Sequence, residues 1–369
     1  MEITTASASI NTSVTSSTNI SDDQQSLVND YNINILSVVA NLLLGILGLM
    51  GNAIVCLTVS KTKIFHDITH YLIVSLAMSD FLCCAFFIIS ILCVIEGHPV
   101  RVHITQGFFG EIFCRLFWSL HLFWSSFFAS AFNLVVVTFE RYFAIVHPMR
   151  YARSFTVRRG LMLAGAAWTL AYLLEIEFPI RYYVNKEGEC TYPGLGPAWF
   201  AKLMFFKSFS VSFVVPLIFL VWAYYKIIKT LRQGAVNPGV MGAEMGEASR
   251  RVVHSLLIIT TFFILLLLPS ELGNVLLFFD VPVDARLGIW EIFRTLTVMN
   301  SVVNPMIYAI KLKKFRRAMR ATLCPCLKNQ VELENETQLT VVGMNTLAST
   351  AGPENESLSQ ARAQGRFVT

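Results

Sequence analysis

Charge is scarce in this sequence. Only 14% of its 369 residues are Asp, Glu, Lys or Arg, and no stretch carries bases interleaved with aromatics as a stripe. A nucleic-acid surface needs such a footprint, so nucleic acid is excluded as a partner. A nucleotide-binding glycine loop, paired zinc-ligand spacings and a nucleophile elbow are all missing, which removes the commonest enzyme readings. Residues 1–33 hold neither Lys nor Arg and no apolar core, so they do not read as a signal peptide. The eight cysteines do not make a disulfide scaffold. Cys56, Cys83, Cys84 and Cys93 lie inside apolar blocks, where free thiols are usual, and Cys324 and Cys326 come after the last block. Cys114 and Cys190 fall where two blocks meet one side of the membrane, and one bridge is the natural count.

What is abundant is apolar. Hydrophobic residues make up 54% of the chain, with 29 Phe. They fall in seven segments, at roughly 34–60, 67–95, 111–145, 158–180, 199–232, 249–280 and 287–310. Each exceeds the ~20 residues that cross a bilayer as a helix. The joins alternate in charge. Lys61 and Lys63 follow the first segment, and Arg150, Arg153, Arg158 and Arg159 follow the third. Lys226, Lys229, Arg232, Arg250 and Arg251 flank the fifth join, and six bases between Lys311 and Arg320 follow the seventh. The positive-inside rule then puts the amino terminus outside and the carboxyl terminus inside, as an odd number of spans requires.

The expected organisation is an all-α membrane protein in three parts. Residues 1–33 form an outer tail with glycosylation sequons at Asn11 and Asn19, residues 34–326 the bundle, and residues 327–369 a polar cytoplasmic tail. From Lys311 to Leu323 bases alternate with Leu312, Phe315, Ala318 and Met319. That pattern suits a short amphipathic eighth helix on the inner leaflet. Cys324 and Cys326 at its end read either as palmitoylation sites or as plain thiols.

Each segment carries a polar or special residue. Asn52 is in the first and Asp80 in the second; Ser130, Asn133 and Glu140-Arg141-Tyr142 are in the third. Trp168 is in the fourth, Pro216 in the fifth, Pro269 in the sixth, and Asn300, Ser301 and Asn304-Pro305 in the seventh. An Asp at mid-membrane costs about 2.5–3.5 kcal/mol on insertion scales, so Asp80 needs polar company, which these Asn and Ser side chains can give.

Gly51-Asn52, Leu76-Ala77-Met78-Ser79-Asp80, Cys114, Glu140-Arg141-Tyr142, Trp168, Cys190, Pro216 with Tyr224, Pro269 and Asn304-Pro305-Met306-Ile307-Tyr308 stand here in one order and spacing. On these marks the chain resembles the rhodopsin-like (class A) G-protein-coupled receptors over about residues 34–326. The resemblance implies a seven-helix bundle at the plasma membrane, without enzymatic activity, that binds an extracellular ligand and engages a heterotrimeric G protein, then arrestin and receptor kinases. It implies a coupling and switch set of Glu140, Arg141, Tyr142, Pro148, Tyr224, Phe263, Pro269, Asn304, Pro305 and Tyr308. It implies an allosteric sodium pocket at Asp80, Ser130, Asn300 and Ser301, structural roles for Asn52 and Trp168, and a Cys114–Cys190 bridge.

Three departures bear on function. Leu267 stands where the family has its toggle tryptophan, and Ser249 where many members place an acid that locks Arg141, leaving Glu140 to restrain it largely alone. Cys114 lies two residues further from Glu140 than the family norm, which calls for a bulge or a displaced outer turn in the third helix. The ligand position is therefore Phe123 counting back from Arg141, or His121 counting forward from Cys114. Neither is acidic, which disfavours a biogenic amine, and Val298 replaces the retinal-binding lysine. Lys207, Glu271 and Arg294 add charge to the upper bundle. They read either as internal pairs, Glu271–Arg294 or Glu271–Lys207, or as contacts for a charged peptide. A peptide ligand is the leading expectation and a lipid or other non-amine small molecule the alternative. A transporter would show internal repeats, and none is found.

Overall fold

The computed structural model describes residues 20–93, 107–194, 196–236, 243–281 and 289–324; Asn11, Asn19, Cys326 and the tail 327–369 lie outside them. Helix α1 is Ile20–Lys61, α2 Ile68–Cys93, α3 His121–Val146 and α4 Val157–Leu174. Helix α5 is built from Ala198–Phe209, a π-turn at Ser210–Val214 and Val215–Val236; α6 is Ala243–Phe278 and α7 Ile289–Lys311. The chain divides into two units, Met1–Lys313 and Lys314–Thr369. The second opens within α8, Lys313–Leu323, an amphipathic helix.

Local chemistry sets several helix starts. Asp67 accepts from the His70 backbone N–H at 2.9 Å and so caps α2. Burial acts to raise the Asp67 carboxyl, but the His70 hydrogen bonds and the nearby Arg141 charge outweigh it and hold the group below its ordinary value. Thr156 caps α4 by accepting from Arg159 N at 3.4 Å. Pro148 opens a short helix, Pro148–Ser154, at the position where its missing N–H costs nothing.

Among the described residues six helices are long and apolar enough to cross a membrane by length and composition. Helix α7 falls short of that composition because Glu291, Arg294, Asn300, Ser301 and Asn304 share its length. It nonetheless packs against α1, α2 and α6. Helix α3 is the central post, touching α2, α4, α5 and α6. Within its span 72% of residues are buried, against 22–50% in the other five. Small residues let helices approach closely. A Cβ on Gly51 would lie 3.1 Å from Pro305, which fixes the α1–α7 contact.

The two-residue offset before α3 has a visible cause. After the short helix Phe108–Ile112 the backbone widens into a π-turn, Phe113–Trp118, in which Ser119 N donates to Cys114 O at 3.1 Å. Leu120 then takes a left-handed conformation, φ 59° and ψ 17°, before α3 begins at His121. The extra residues are absorbed there as a bulge. A left-handed Leu is strained by about 1–3 kcal/mol, so surrounding contacts must hold it.

Candidate functional site

The buried core is a polar network joining four helices. Asp80 is fully buried on α2, and its two carboxylate oxygens accept from Ser130 Oγ of α3 at 2.6 Å and Asn304 Nδ2 of α7 at 2.7 Å. Asn52 Nδ2 of α1 donates to the Ser301 carbonyl at 3.0 Å and to the Gly48 carbonyl at 2.9 Å. Asn300 and Ser301 are buried on α7, one turn before Asn304. Among the described residues, the Oδ1 atoms of Asn52, Asn300 and Asn304 have no hydrogen-bond partner. Amide oxygens without a donor are hard ligands, the kind that a hard cation takes, and Asn304 brings one beside the Asp80 carboxylate it bonds. The residues thus fit the expected sodium ion by donor type.

Trp168 is tied into a second knot. Its indole N–H donates to Ser75 Oγ at 3.0 Å, Ser75 donates to Asn133 Oδ1 at 2.8 Å, and Asn133 Nδ2 donates to the Ala129 carbonyl at 2.8 Å. Helices α2, α3 and α4 are joined through this chain. Trp168→Phe removes one interhelical hydrogen bond, of a kind worth roughly 0.6 kcal/mol and at most about 1.7. The expected result is a modest fall in the thermal unfolding midpoint of the purified protein; an unchanged midpoint would show the bond contributes nothing.

Near the C-terminal end of α3, Glu140 is fully buried and holds Arg141 at 2.5 Å through both Nε and Nη2. Sequence reasoning left Glu140 largely alone in this task, and the structure corrects that. Thr69 Oγ1 of α2 donates to Glu140 at 3.2 Å and accepts from Arg141 Nη2, while Tyr151 O–H donates to Glu140 Oε1 at 2.6 Å. Burial, and then the acceptor Glu140, push the Tyr151 pKa up, so the phenol stays a donor. The sole hint of Tyr151 was its place one turn past Pro148; nothing in the sequence pointed to Thr69. Tyr224 of α5 shares hydrogen bonds with Thr138 of α3 at 3.2 Å and Thr260 of α6 at 3.1 Å. Tyr142 lies 3.2 Å from His147 and packs on Trp222, Phe263 stacks on Phe127, and Leu267 and Tyr308 are buried. Pro269 and Pro305 sit inside α6 and α7.

The opposite end is closed by the Cys114–Cys190 disulfide. Cys190 belongs to a two-stranded hairpin, β1 Tyr183–Val184 and β2 Cys190–Thr191. Glu111 fastens it further, accepting from Val184 N at 3.1 Å and from Arg115 Nε at 2.7 Å. Arg115 also donates to the Pro179 carbonyl at 2.9 Å.

The residues expected to meet the ligand do not converge on one point. Lys207 pairs with Glu177 at 2.8 Å and donates to the Leu174 carbonyl at 2.7 Å, so Glu271 is not its partner. His121 Nδ1 lies 3.1 Å from the Glu175 carbonyl, and its ring meets Tyr172 edge-on. Glu175, itself buried, accepts from Ser208 at 3.4 Å. His121 and Lys207 thus belong to one polar cluster with Glu175 and Glu177 at the end of α4. Phe123 turns instead to Phe87 of α2, with ring centroids 5.8 Å apart. Glu271 is buried on α6 near its hydrogen-bond partner Asn274, and Arg294 lies on α7.

Membrane-length helices around a buried carboxylate, with a disulfide at one end and an acid–arginine pair at the other, form a multi-pass membrane bundle. The family model described as 7 transmembrane receptor (rhodopsin family) matches residues 51–308. The chain belongs to this family: it is a G-protein-coupled receptor and not an enzyme. It is similar to human neuropeptide FF receptor 1, 31% identical over 316 residues that cover 78% of this chain and 71% of that one. Somatostatin receptor type 2 of Sus scrofa is 27% identical over 289 residues, covering 76% and 74%. Adenosine receptor A2a of Canis lupus familiaris is 27% identical over 305 residues, covering 77% and 71%.

Proposed function

We propose that this receptor sits in the plasma membrane with its amino terminus outside, binds a peptide, and activates heterotrimeric G proteins. The observation that carries the peptide reading is the charged cluster of Glu175, Glu177 and Lys207, which the chain follows directly with the disulfide-held hairpin. In this reading a charged group of the peptide would exchange for one partner of the half-buried Lys207–Glu177 pair. Similarity to receptors named for neuropeptide FF and somatostatin supports it. Similarity to an adenosine receptor supports the second reading, a non-amine small molecule.

Signalling in this reading is a change of packing with no covalent chemistry. Release of Arg141 from Glu140 would accompany outward movement of α6, with Tyr224 exchanging its Thr138 and Thr260 partners for the opened inner face. Asp80, Ser130, Asn300 and Ser301 would hold the sodium ion, which supplies positive charge against the buried carboxylate and favours the resting arrangement. Helix α8 would lie on the inner leaflet, with Cys324 and Cys326 carrying palmitoyl chains and Asn11 and Asn19 carrying glycans. Arrestin and receptor kinases would act at the Ser- and Thr-bearing tail.

The test is ligand-free G-protein activation in cells across all G-protein families, followed by arrestin recruitment against peptide and small-molecule libraries. Basal signal is expected in the wild type, lost in Arg141→Ala and altered in Asp80→Asn. A signal that survives Arg141→Ala would refute the coupling assignment, and a library hit confined to small molecules would refute the peptide.

A further inference from the structure

Charge does not balance at the end of α4. Two carboxylates, Glu175 and Glu177, stand there against one cation of α5, Lys207. An ammonium has three N–H groups. Those of Lys207 go to the two Glu177 oxygens at 2.8 and 3.0 Å and to the Leu174 carbonyl at 2.7 Å, which leaves none for Glu175. Glu175 is only 5% exposed, and among the described residues the one hydrogen bond to its carboxylate comes from Ser208 at 3.4 Å, near the limit of such a contact. His121 turns its Nδ1 to the Glu175 main-chain carbonyl instead. A carboxylate this deep in a membrane bundle needs a cation beside it, and the protein supplies that cation to its neighbour.

The surroundings suit a guest cation. The Tyr192 hydroxyl is buried without a hydrogen-bond partner among the described residues. Its ring stacks on Tyr182 and on Phe178, the residue after Glu177. Aromatic faces beside carboxylates favour a guanidinium, which stacks on rings and is more weakly hydrated than an ammonium. Access is available as well. The Lys207 and Glu177 side chains are 30% and 15% exposed, and Ala198–Phe209 of α5 buries none of its residues, so α5 is loosely packed here.

Resting on the peptide reading above, we propose that the ligand lodges a guanidinium side chain at this cluster to neutralise Glu175, which makes Glu175 the residue that selects a basic ligand. An exchange at the Lys207–Glu177 pair does not alter the balance. If the guest takes Glu177, Lys207 is released to Glu175, and two carboxylates again face two cations. Lys207 is therefore the ligand's competitor, and the cluster accepts a cation only while its carboxylates outnumber its own cations.

The probe is Nα-acetyl-arginine methylamide, compared with its citrulline counterpart, which has the same shape and no charge. Full-length receptor in phosphatidylcholine nanodiscs is used at pH 8, above the ordinary histidine and carboxyl values. Binding is read from the rise of the thermal unfolding midpoint with probe concentration. The arginine probe stabilises the wild type and the citrulline probe does not. Glu175→Gln weakens binding about tenfold. Glu177→Gln weakens it too, because Lys207 is then free to serve Glu175. Lys207→Gln strengthens it, and Glu177→Gln combined with Lys207→Gln restores it, which also shows that the variants fold. A merely structural role would not give these opposite signs. Equal binding of the two probes, binding of neither, or weaker binding in Lys207→Gln overturns the proposal. Peptides that recruit arrestin separate the two claims. Potency that survives replacement of every arginine by citrulline refutes the cation at Glu175 and leaves the peptide. Binding of the arginine probe with no active peptide refutes the peptide and leaves the cation site.

Discussion

Replacing Glu140 by Ala raises ligand-free G-protein signalling severalfold over wild type at matched surface expression. The buried carboxylate accepts from Arg141, Thr69 and Tyr151, so its removal strips three donors of one acceptor. Breaking a buried ion pair from one side costs roughly 3–5 kcal/mol, and the cost falls on the state in which the pair exists. If only about 1.4 kcal/mol of that separates the resting from the active arrangement, the active population rises tenfold. Tyr151→Phe removes a single hydrogen bond to a charged acceptor, worth about 1.5–3 kcal/mol, and raises basal signal less. Both effects vanish on adding Arg141→Ala. A Glu140→Ala receptor as quiet as wild type would show that this lock does not hold the resting state.

The second large effect is at the Cys114–Cys190 disulfide. Cys190→Ser lowers surface expression and ligand binding at least tenfold. The bridge closes a sequence separation of 76 residues, and a loop of that size restrains the unfolded chain by about 4–5 kcal/mol in the chain-entropy account. It has a local role as well. Cys114 sits inside the π-turn that leads to the left-handed Leu120, so the bridge anchors the strained entry to α3. Cys114→Ser therefore matches Cys190→Ser, and the double variant is no worse than either, because both remove one interaction. Cys56→Ser, at a free thiol, changes little. Flow cytometry with thermal unfolding checks all four; additive losses in the double variant would mean that the two cysteines act separately.

Most of the frame was legible because hydropathy and charge act over long stretches. Seven apolar segments and alternating joins anticipated the helices, and the spacing of Cys114 from Glu140 anticipated an irregularity that proved to be a π-turn with a left-handed residue. The side-chain partners were less legible, because a hydrogen bond between helices leaves no periodic trace. Ser75 links Trp168 to Asn133, yet in sequence it is one more small residue in a membrane helix. Lys207 found Glu177 in preference to Glu271, since the end of α4 brings that carboxylate within 2.8 Å and no pattern in the sequence encodes such proximity.

Helix α7 has a consequence for how the protein is made. Charged residues are disfavoured in a nascent segment at the insertion machinery, and α7 carries Glu291 and Arg294 in its first two turns with three buried amide and hydroxyl residues further along. Alone, such a segment leaves the translocon reluctantly. Its stay in the lipid depends on α1 and α2 being there already to meet Ser301 and Asn304, and on α6 to pack against it. Assembly is then ordered by synthesis, with the last helix admitted by its predecessors. Removing both Asp80 and Asn52 would be felt first in the ribosome-bound chain, as a final span that enters less efficiently; Asp80→Asn alone keeps a polar partner for Asn304.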